Sequence, residues 1–373
     1  MKKIVLLVLT VIAAGATAFA GGSSGLKHSL DSLFEVRYPN AKEPGASVVI
    51  AAGDSVIYER QFGMADIKQK RKIDASTPFN IASISKQFTT IGALRLAEKG
   101  QIDINATIDK YFPKYKSEIW RQVKVSHLMS QSSGIPDTRP RHNRHDMIFA
   151  TDSTSALYFN TLDSLKFTPG TAYDYINPTF ILVARIIEQA TGLPFVEYQQ
   201  RNIFDPLGMT STCYFNPDGM PDNVAHGYVQ NDKGKWEIFE YGQETFFATR
   251  PDGGIYSTPR DLLRWEQGLR DNLIVGEATR EAAYHPHTRV SGSPWSGYQN
   301  RPHTSYGYGF FIDRTPGFPK KVYHTGDNGG FQAYLAKYPD KKVVIVVLEN
   351  RNDLDRWTMA REIDRILLNN GLL

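Results

Sequence analysis

The chain has one cysteine, Cys213, in 373 residues. That excludes an internal disulfide, and nothing beside Cys213 marks it as a nucleophile. The nine histidines are scattered. None sits in a His-X-X-X-His next to a glutamate, so zinc-ligand spacing is missing and neither metal nor cofactor is expected. Charge of one sign is scarce too. Lys and Arg number 43 against 39 Asp and Glu, a balance of +4, too weak to imply a nucleic-acid partner. Internal repeats are absent.

The N-terminus reads as a signal peptide over residues 1–20: Lys2 and Lys3, an apolar run from Ile4 to Ala14, then Ala18-Phe19-Ala20 as the cleavage site. The alternative is a membrane anchor, but the run is shorter than the ~20 residues a span needs. No cysteine follows the cut, so lipid attachment is not indicated. The expectation is an exported protein, periplasmic or secreted, with no integral membrane span once the leader is gone. Removal of the two lysines lowers the net charge to +2. The Gly/Ser-rich run 21–25 reads as a flexible linker.

What is present suits a large core: 41% of residues are apolar and 12% aromatic, enough for one large or two ordinary domains. An amphipathic helix is expected from Leu26 to Tyr38. Ser47–Ala51 and Ser55–Arg60 read as strands joined at Gly53-Asp54, an antiparallel hairpin. From Ser76 to about Arg270 capped helices alternate with loops. In Ser257-Thr258-Pro259-Arg260-Asp261, Thr258 can cap, Pro259 takes the first helical position and Asp261 completes a capping box. Strand signals return at Gly309–Ile312, Val322–His324, Phe331–Tyr338 and Val343–Leu348, and a closing helix is expected over Asp353–Leu368. The fold class is therefore α+β: an antiparallel sheet flanked by the first and last helices (about 26–75 and 305–373), an inserted mainly helical lobe (about 76–270) and a loop-rich connection (271–304), all one domain over 26–373.

Within this frame Thr77-Pro78-Phe79-Asn80-Ile81-Ala82-Ser83-Ile84-Ser85-Lys86 places a hydroxyl and an amine three residues apart at the opening of a helix. Ile84, Phe88, Ile91 and Leu94 recur at helical spacing and Gly100 follows as a C-terminal cap. On such a helix Ser83 and Lys86 share a face. A serine is a poor nucleophile until a base takes its proton, and a lysine whose ammonium is disfavoured can be that base. The helix N-terminus supplies N–H groups suited to an oxyanion. The spacing alone is weak evidence, because Ser24-Gly25-Leu26-Lys27 repeats it. The run Gly21-Gly22-Ser23-Ser24-Gly25 even matches Gly-X-Ser-X-Gly, but no strand precedes it.

A serine–lysine pair needs a proton shuttle, a group to orient the acyl substrate and a second oxyanion donor. Two later stretches offer them. Tyr175-Ile176-Asn177 places a phenol and an amide after a Pro169-Gly170 turn and before a helix from Thr179 to Ala190 that stops at Gly192. His324-Thr325-Gly326-Asp327-Asn328-Gly329-Gly330 lies between two strand signals. There a glycine admits close approach of substrate backbone, and a threonine hydroxyl beside a partly cationic histidine can hold a carboxylate or other acceptor. The bland alternative is a polar hairpin turn.

Taken in order, Ser83-X-X-Lys86, Tyr175-X-Asn177 and His324-Thr325-Gly326 resemble the penicillin-recognising serine hydrolases, in the branch with class C β-lactamases, D-alanyl-D-alanine carboxypeptidases and related esterases and D-amino-acid peptidases. The resemblance covers nearly all of the mature chain. It includes Val123–Gly134, Gly253–Thr258 and Gly330-Phe331. It implies a two-lobed β-lactamase/transpeptidase-like fold and no cofactor. Ser83 would be acylated, Lys86 and Tyr175 would share general-base and proton-return duties, and Asn177 would hold the substrate's side-chain amide. His324, Thr325 and Gly326 would line the third wall, and the backbone N–H groups of Ser83 and Asp327 would form the oxyanion hole. Which of Lys86 and Tyr175 deprotonates Ser83 stays open.

Two departures stand out. Where the family's β-lactamases carry Lys-Thr-Gly this chain has His324, which lowers the expectation of efficient β-lactamase activity. The family also often has a histidine where Gln131 stands; Gln131 and His127 read as structural. The aromatics Trp236, Phe246, Phe247, Trp295, Tyr306 and Tyr308 line either an acyl subsite or the core. The cluster Arg139, Arg141, His142, Arg144 and His145 reads as a solvated loop, with attraction of an anionic substrate as the alternative. The expected activity is cleavage of an amide or ester of a small molecule or peptide, as in serine-type D-Ala-D-Ala carboxypeptidases, β-lactamases or esterases; the alternative is a covalent penicillin-binding sensor that is acylated without turnover.

Overall fold

The hairpin at Gly53-Asp54 forms as its turn residues require. Strands β1 (Ala46–Ala52) and β2 (Ser55–Phe62) pair antiparallel, and Gly53 takes φ 60, a left-handed value that costs glycine little. The computed structural model describes residues 13–137, 152–216, 218–240, 249–291 and 301–373, apart from the side chains of 13–23 and 154–155. Helix α1 (Ala13–Arg37) precedes the hairpin. It begins well before the expected Leu26, so residues 21–25, read from the sequence as a flexible linker, are helical. The alanines from Ala13 to Ala20, strong helix formers, carry the helix into that run. Leu26, Leu30 and Phe34 form its buried stripe, and the chance pair Ser24 and Lys27 lies exposed.

Among the described residues the main sheet has eight strands, all antiparallel. Between β2 and the remaining strands of that sheet the chain forms the short strands β3 (Phe79–Asn80), β4 (Cys213–Tyr214) and β5 (Ile255–Ser257), a small sheet of order β3-β5-β4. The main sheet then takes β6 (Thr288–Arg289), β7 (Thr304–Tyr306), β8 (Phe311–Asp313), β9 (Lys321–Asn328), β10 (Phe331–Tyr338) and β11 (Val343–Glu349). Its order is β6-β7-β8-β9-β10-β11-β1-β2. The connection 271–304 therefore contributes an edge strand to the sheet, together with the short helix Glu277–Ala283.

Side chains alternate between two cores, as the two-residue period of a strand dictates. From β11, Val343, Ile345 and Val347 face α1 and the closing helix, whereas Val346 and Leu348 join the core of the helical region. The continuous run Val343–Leu348 is thus a central strand covered on both faces. The helical region contains α2 (Ser85–Glu98), α3 (Val125–Met129), α4 (Thr179–Thr191) and α5 (Pro259–Arg270), and the chain closes with α6 (Arg356–Asn369). Thr258 Oγ1 accepts the Asp261 N–H at 3.2 Å as the cap of α5, and Gly192 ends α4 at φ 72. Among the described residues no single helix is long and apolar enough to cross a membrane.

Candidate active site

Ser83 does not open α2 directly. It lies in the 3-10 turn Ala82–Ile84, and α2 starts at Ser85. Ala82 is held at φ 46, a left-handed conformation unfavourable for a residue with a Cβ. The local contacts explain how it is kept: Asn80 Oδ1 accepts the Ala82 N–H at 3.0 Å, Ile81 donates its N–H to Ile255 at 2.9 Å, and Ile84 donates back to the Ile81 carbonyl at 3.1 Å. Backbone strain of this kind persists only where neighbours over-determine it.

One turn on, Lys86 is fully buried. Its Nζ donates to Ser83 Oγ at 3.0 Å and to the Asp252 carbonyl at 2.7 Å. The amine is therefore fixed against the hydroxyl. The segment carrying Asp252 is itself stapled to α2, since Thr89 Oγ1 donates to the Pro251 carbonyl at 2.6 Å and Ser85 Oγ accepts the Ile255 N–H at 3.1 Å. Lys86 Nζ also lies 5.0 Å from the centre of the Tyr175 ring and 5.5 Å from that of Phe180, in the first turn of α4. Tyr175 is only partly buried, and the centre of its ring lies 6.2 Å from that of His324. Asn177, just before α4, has a buried Oδ1 with no hydrogen-bond partner among the described residues.

Strand β9 forms the opposite wall. Strand β8 pairs with it only as far as Tyr323, which leaves the edge from His324 onward without a strand partner on that side among the described residues. Gly326 abuts the serine turn: a Cβ there would come within 2.2 Å of the Ile81 carbonyl oxygen. Only glycine permits that approach. Asn328 Nδ2 adds a bond to Asn80 Oδ1 at 3.3 Å. Arg356, opening α6, holds the end of β9 by donating to the Gly326 carbonyl at 3.0 Å and to both carboxylate oxygens of Asp327 at 2.9 and 2.8 Å. The backbones of Ser83 and Asp327, expected as the oxyanion donors, thus flank the close contact between turn and strand.

His324 corrects one expectation. It is 1% exposed, and burial, the positive charge of Lys86 and that of Arg356 push its pKa down to about 3. The imidazole is neutral, with Nδ1–H donating to the Thr325 carbonyl at 2.7 Å and Nε2 accepting the Tyr306 hydroxyl at 3.0 Å. A partly cationic histidine beside Thr325 is therefore not present. Thr325 is buried with it.

His127 and Gln131, read from the sequence as structural, each accept a hydrogen bond from a backbone N–H. His127 Nδ1 accepts the Lys124 N–H at 3.2 Å at the start of α3, with its pKa lowered by burial and by Lys124. Gln131 is buried beneath the Tyr175 loop. Tyr306 and Tyr308 are core residues, and Trp236 packs under the Arg351 guanidinium at 4.5 Å. Phe246, Phe247, Trp295 and the basic cluster from Arg139 to His145 lie outside the described residues. Among those described, no group of three or more His, Cys, Asp or Glu could hold a metal ion. Sequence reasoning missed two contributors, the Asp252 carbonyl and Arg356; Asp252 had a pointer in its position directly before the Gly253-Gly254 run, while Asn80 and Tyr306 were named without the contacts they make here.

The comparisons with known proteins bear on the family and the fold. Penicillin-binding protein 4* of Bacillus subtilis (strain 168) is 27% identical over 347 residues, covering 90% of this chain and 74% of that protein. Protein flp of Staphylococcus aureus (strain N315) is 24% identical over 341 residues, and the match spans 87% of this chain but only 63% of that relative. Among solved structures, the octameric penicillin-binding protein homologue from Pyrococcus abyssi superposes with a TM-score of 0.78 at 25% identity, over 92% of this chain and 77% of that one. The fold is shared by the D-amino acid amidase from Ochrobactrum anthropi SV3, with a TM-score of 0.74 at 22% identity over 94% and 99% of the two chains. The Beta-lactamase family model matches residues 30–368, and on that match the chain belongs to the β-lactamase family, a family of serine hydrolases of this fold.

Proposed function

We propose that this protein is an exported serine hydrolase that cleaves an amide or ester through an acyl-enzyme on Ser83. The carrying observation is the 3.0 Å contact between the Nζ of buried Lys86 and the Oγ of half-buried Ser83. Ser83 Oγ attacks the substrate carbonyl carbon as the Lys86–Tyr175 pair, one member of which is deprotonated, takes its proton; the tetrahedral oxyanion then collapses, the C–N or C–O bond breaks, and the pair returns the proton to the leaving nitrogen or oxygen. Backbone N–H groups of Ser83 and Asp327 hold the oxyanion. Water then attacks the ester carbon and returns Ser83.

The neutral, doubly bonded His324 favours one substrate class. A charged hydrogen bond to a carboxylate is worth about 1.5–3 kcal/mol against about 1 for a neutral one. Without a cation from His324, a free carboxylate next to the scissile bond gains little, and D-amino-acid amides, aminopeptidase-like peptide substrates and esters fit better than carboxypeptidase substrates or β-lactams. The test is a panel of p-nitrophenyl acetate, D- and L-alanine amides, D-alanyl-D-alanine and nitrocefin against wild type and Ser83→Ala. The reading requires turnover that Ser83→Ala abolishes, with the D-alanine amide cleaved faster than the dipeptide. Turnover unchanged by Ser83→Ala would sink it. A stable adduct without turnover on any substrate would instead favour the covalent sensor.

A further inference from the structure

Gln131 lies outside the serine–lysine machinery, yet it makes two contacts on either side of Tyr175. Its backbone carbonyl accepts the Asp174 N–H at 2.9 Å, and its side-chain Oε1 accepts the Ile176 N–H at 2.8 Å. The residues immediately before and after the phenol are therefore both tied to one residue. The same segment is anchored further out by the Gly170 N–H on the Ser132 carbonyl at 2.8 Å and by the Lys166–Asp174 ion pair.

The residue is kept under unfavourable conditions. Gln131 is 2% exposed and holds φ 54, a left-handed value that a residue with a Cβ seldom adopts. Because Oε1 faces an N–H donor, the amide orientation is fixed. Nε2 is then a buried donor with no hydrogen-bond partner among the described residues. An apolar side chain of the same length would carry no orphan donor. What it could not do is accept the Ile176 N–H.

We propose that Gln131 is a positioning residue that sets the Tyr175 phenol for proton transfer, with its side-chain carbonyl as the operative group. The inference rests on the role given to Tyr175 above. It separates Gln131 from a residue that merely fills the core, because its effect must run through Tyr175.

The experiment is a double-mutant cycle between Gln131→Met and Tyr175→Phe, measured as kcat, KM and the pH–rate profile on whichever panel substrate turns over, with thermal unfolding alongside. A misplacement near 1 Å can cost about 100-fold in rate. We expect Gln131→Met to lower kcat about 100-fold with KM within about 2-fold, to shift the basic limb of the pH profile, and to have less than about 3-fold effect in the Tyr175→Phe background. Gln131→Glu keeps an acceptor oxygen and is expected to recover at least about 10-fold of that loss. If Gln131→Met does not fold, Gln131→Glu against Tyr175→Phe carries the cycle. Wild-type kcat in Gln131→Met, or an equal fall in both backgrounds, overturns the inference while leaving Ser83 and Tyr175 in place. Wild-type kcat in Tyr175→Phe would instead bring down the assigned role of Tyr175, and this inference with it.

Discussion

Replacing Gly326 with alanine tests the close contact on which the site depends. The added Cβ would lie 2.2 Å from the Ile81 carbonyl oxygen and 3.0 Å from Ala82 Cβ. Comfortable contacts begin near 3.5 Å, so strand and turn must part by about 1 Å. Neither yields freely. Strand β9 is paired with β10 from Val322 to Asn328, and the Ile81 carbonyl is the acceptor that closes the Ser83 turn. Overpacking of this kind costs about 1–3 kcal/mol, which for a chain of this size is a fall in Tm of only a few degrees. The kinetic effect is larger, because the same displacement separates the two oxyanion backbones: about 100-fold in the acylation rate. The assay is stopped-flow release of p-nitrophenol from p-nitrophenyl acetate with thermal unfolding measured in parallel. Gly219→Ala is the control, since a Cβ there meets nothing within 4 Å and its φ is not left-handed. A wild-type acylation rate in Gly326→Ala would refute the reasoning.

Three further outcomes are expected. Because the folded chain holds His324 neutral, with a pKa of about 3 against 6.5 when free, the unfolded chain binds the extra proton as pH falls below 6.5. Stability from this residue is full above pH 6.5 and is lost by up to about 1.4 kcal/mol per pH unit down to about pH 3; His324→Gln should flatten the acid limb of Tm against pH, and an unchanged limb would contradict this. Arg356→Lys cannot reproduce the two-pronged contact with Asp327, so acylation should fall in both Arg356→Lys and Arg356→Ala; full activity in Arg356→Lys would refute it. Thr258→Ala should lower stability by about 1 kcal/mol through loss of the α5 cap, read in urea unfolding; no change would mean that Thr258 contributes nothing as a cap.

The parts of this structure legible in the sequence are those governed by local rules. The hairpin at Gly53-Asp54, the strand Phe331–Tyr338 and the Thr258-Pro259 helix start follow from alternation, turn chemistry and capping, and the structure has them. Short strands such as Thr288–Arg289 and Thr304–Tyr306 carry too few residues for any periodicity to register. Ser83 and Lys86 were legible through their spacing and their order relative to Tyr175 and His324. The turn that holds Ser83 was not, because its conformation is imposed by Asn80, Ile255 and Gly326 from three separate places in the chain. His324 shows the same limit. An imidazole's charge depends on its burial and neighbours, and neither Tyr306 nor Arg356 is near it in sequence.

The central claim is that Ser83 carries the acyl group. It is tested most directly by incubating wild type and Ser83→Ala with fluorescent penicillin and p-nitrophenyl acetate, then locating any added mass by peptide mapping. The account predicts an adduct on the peptide containing Ser83 in the wild type and none in Ser83→Ala. An adduct on another residue, or equal labelling and turnover in the variant, would contradict it.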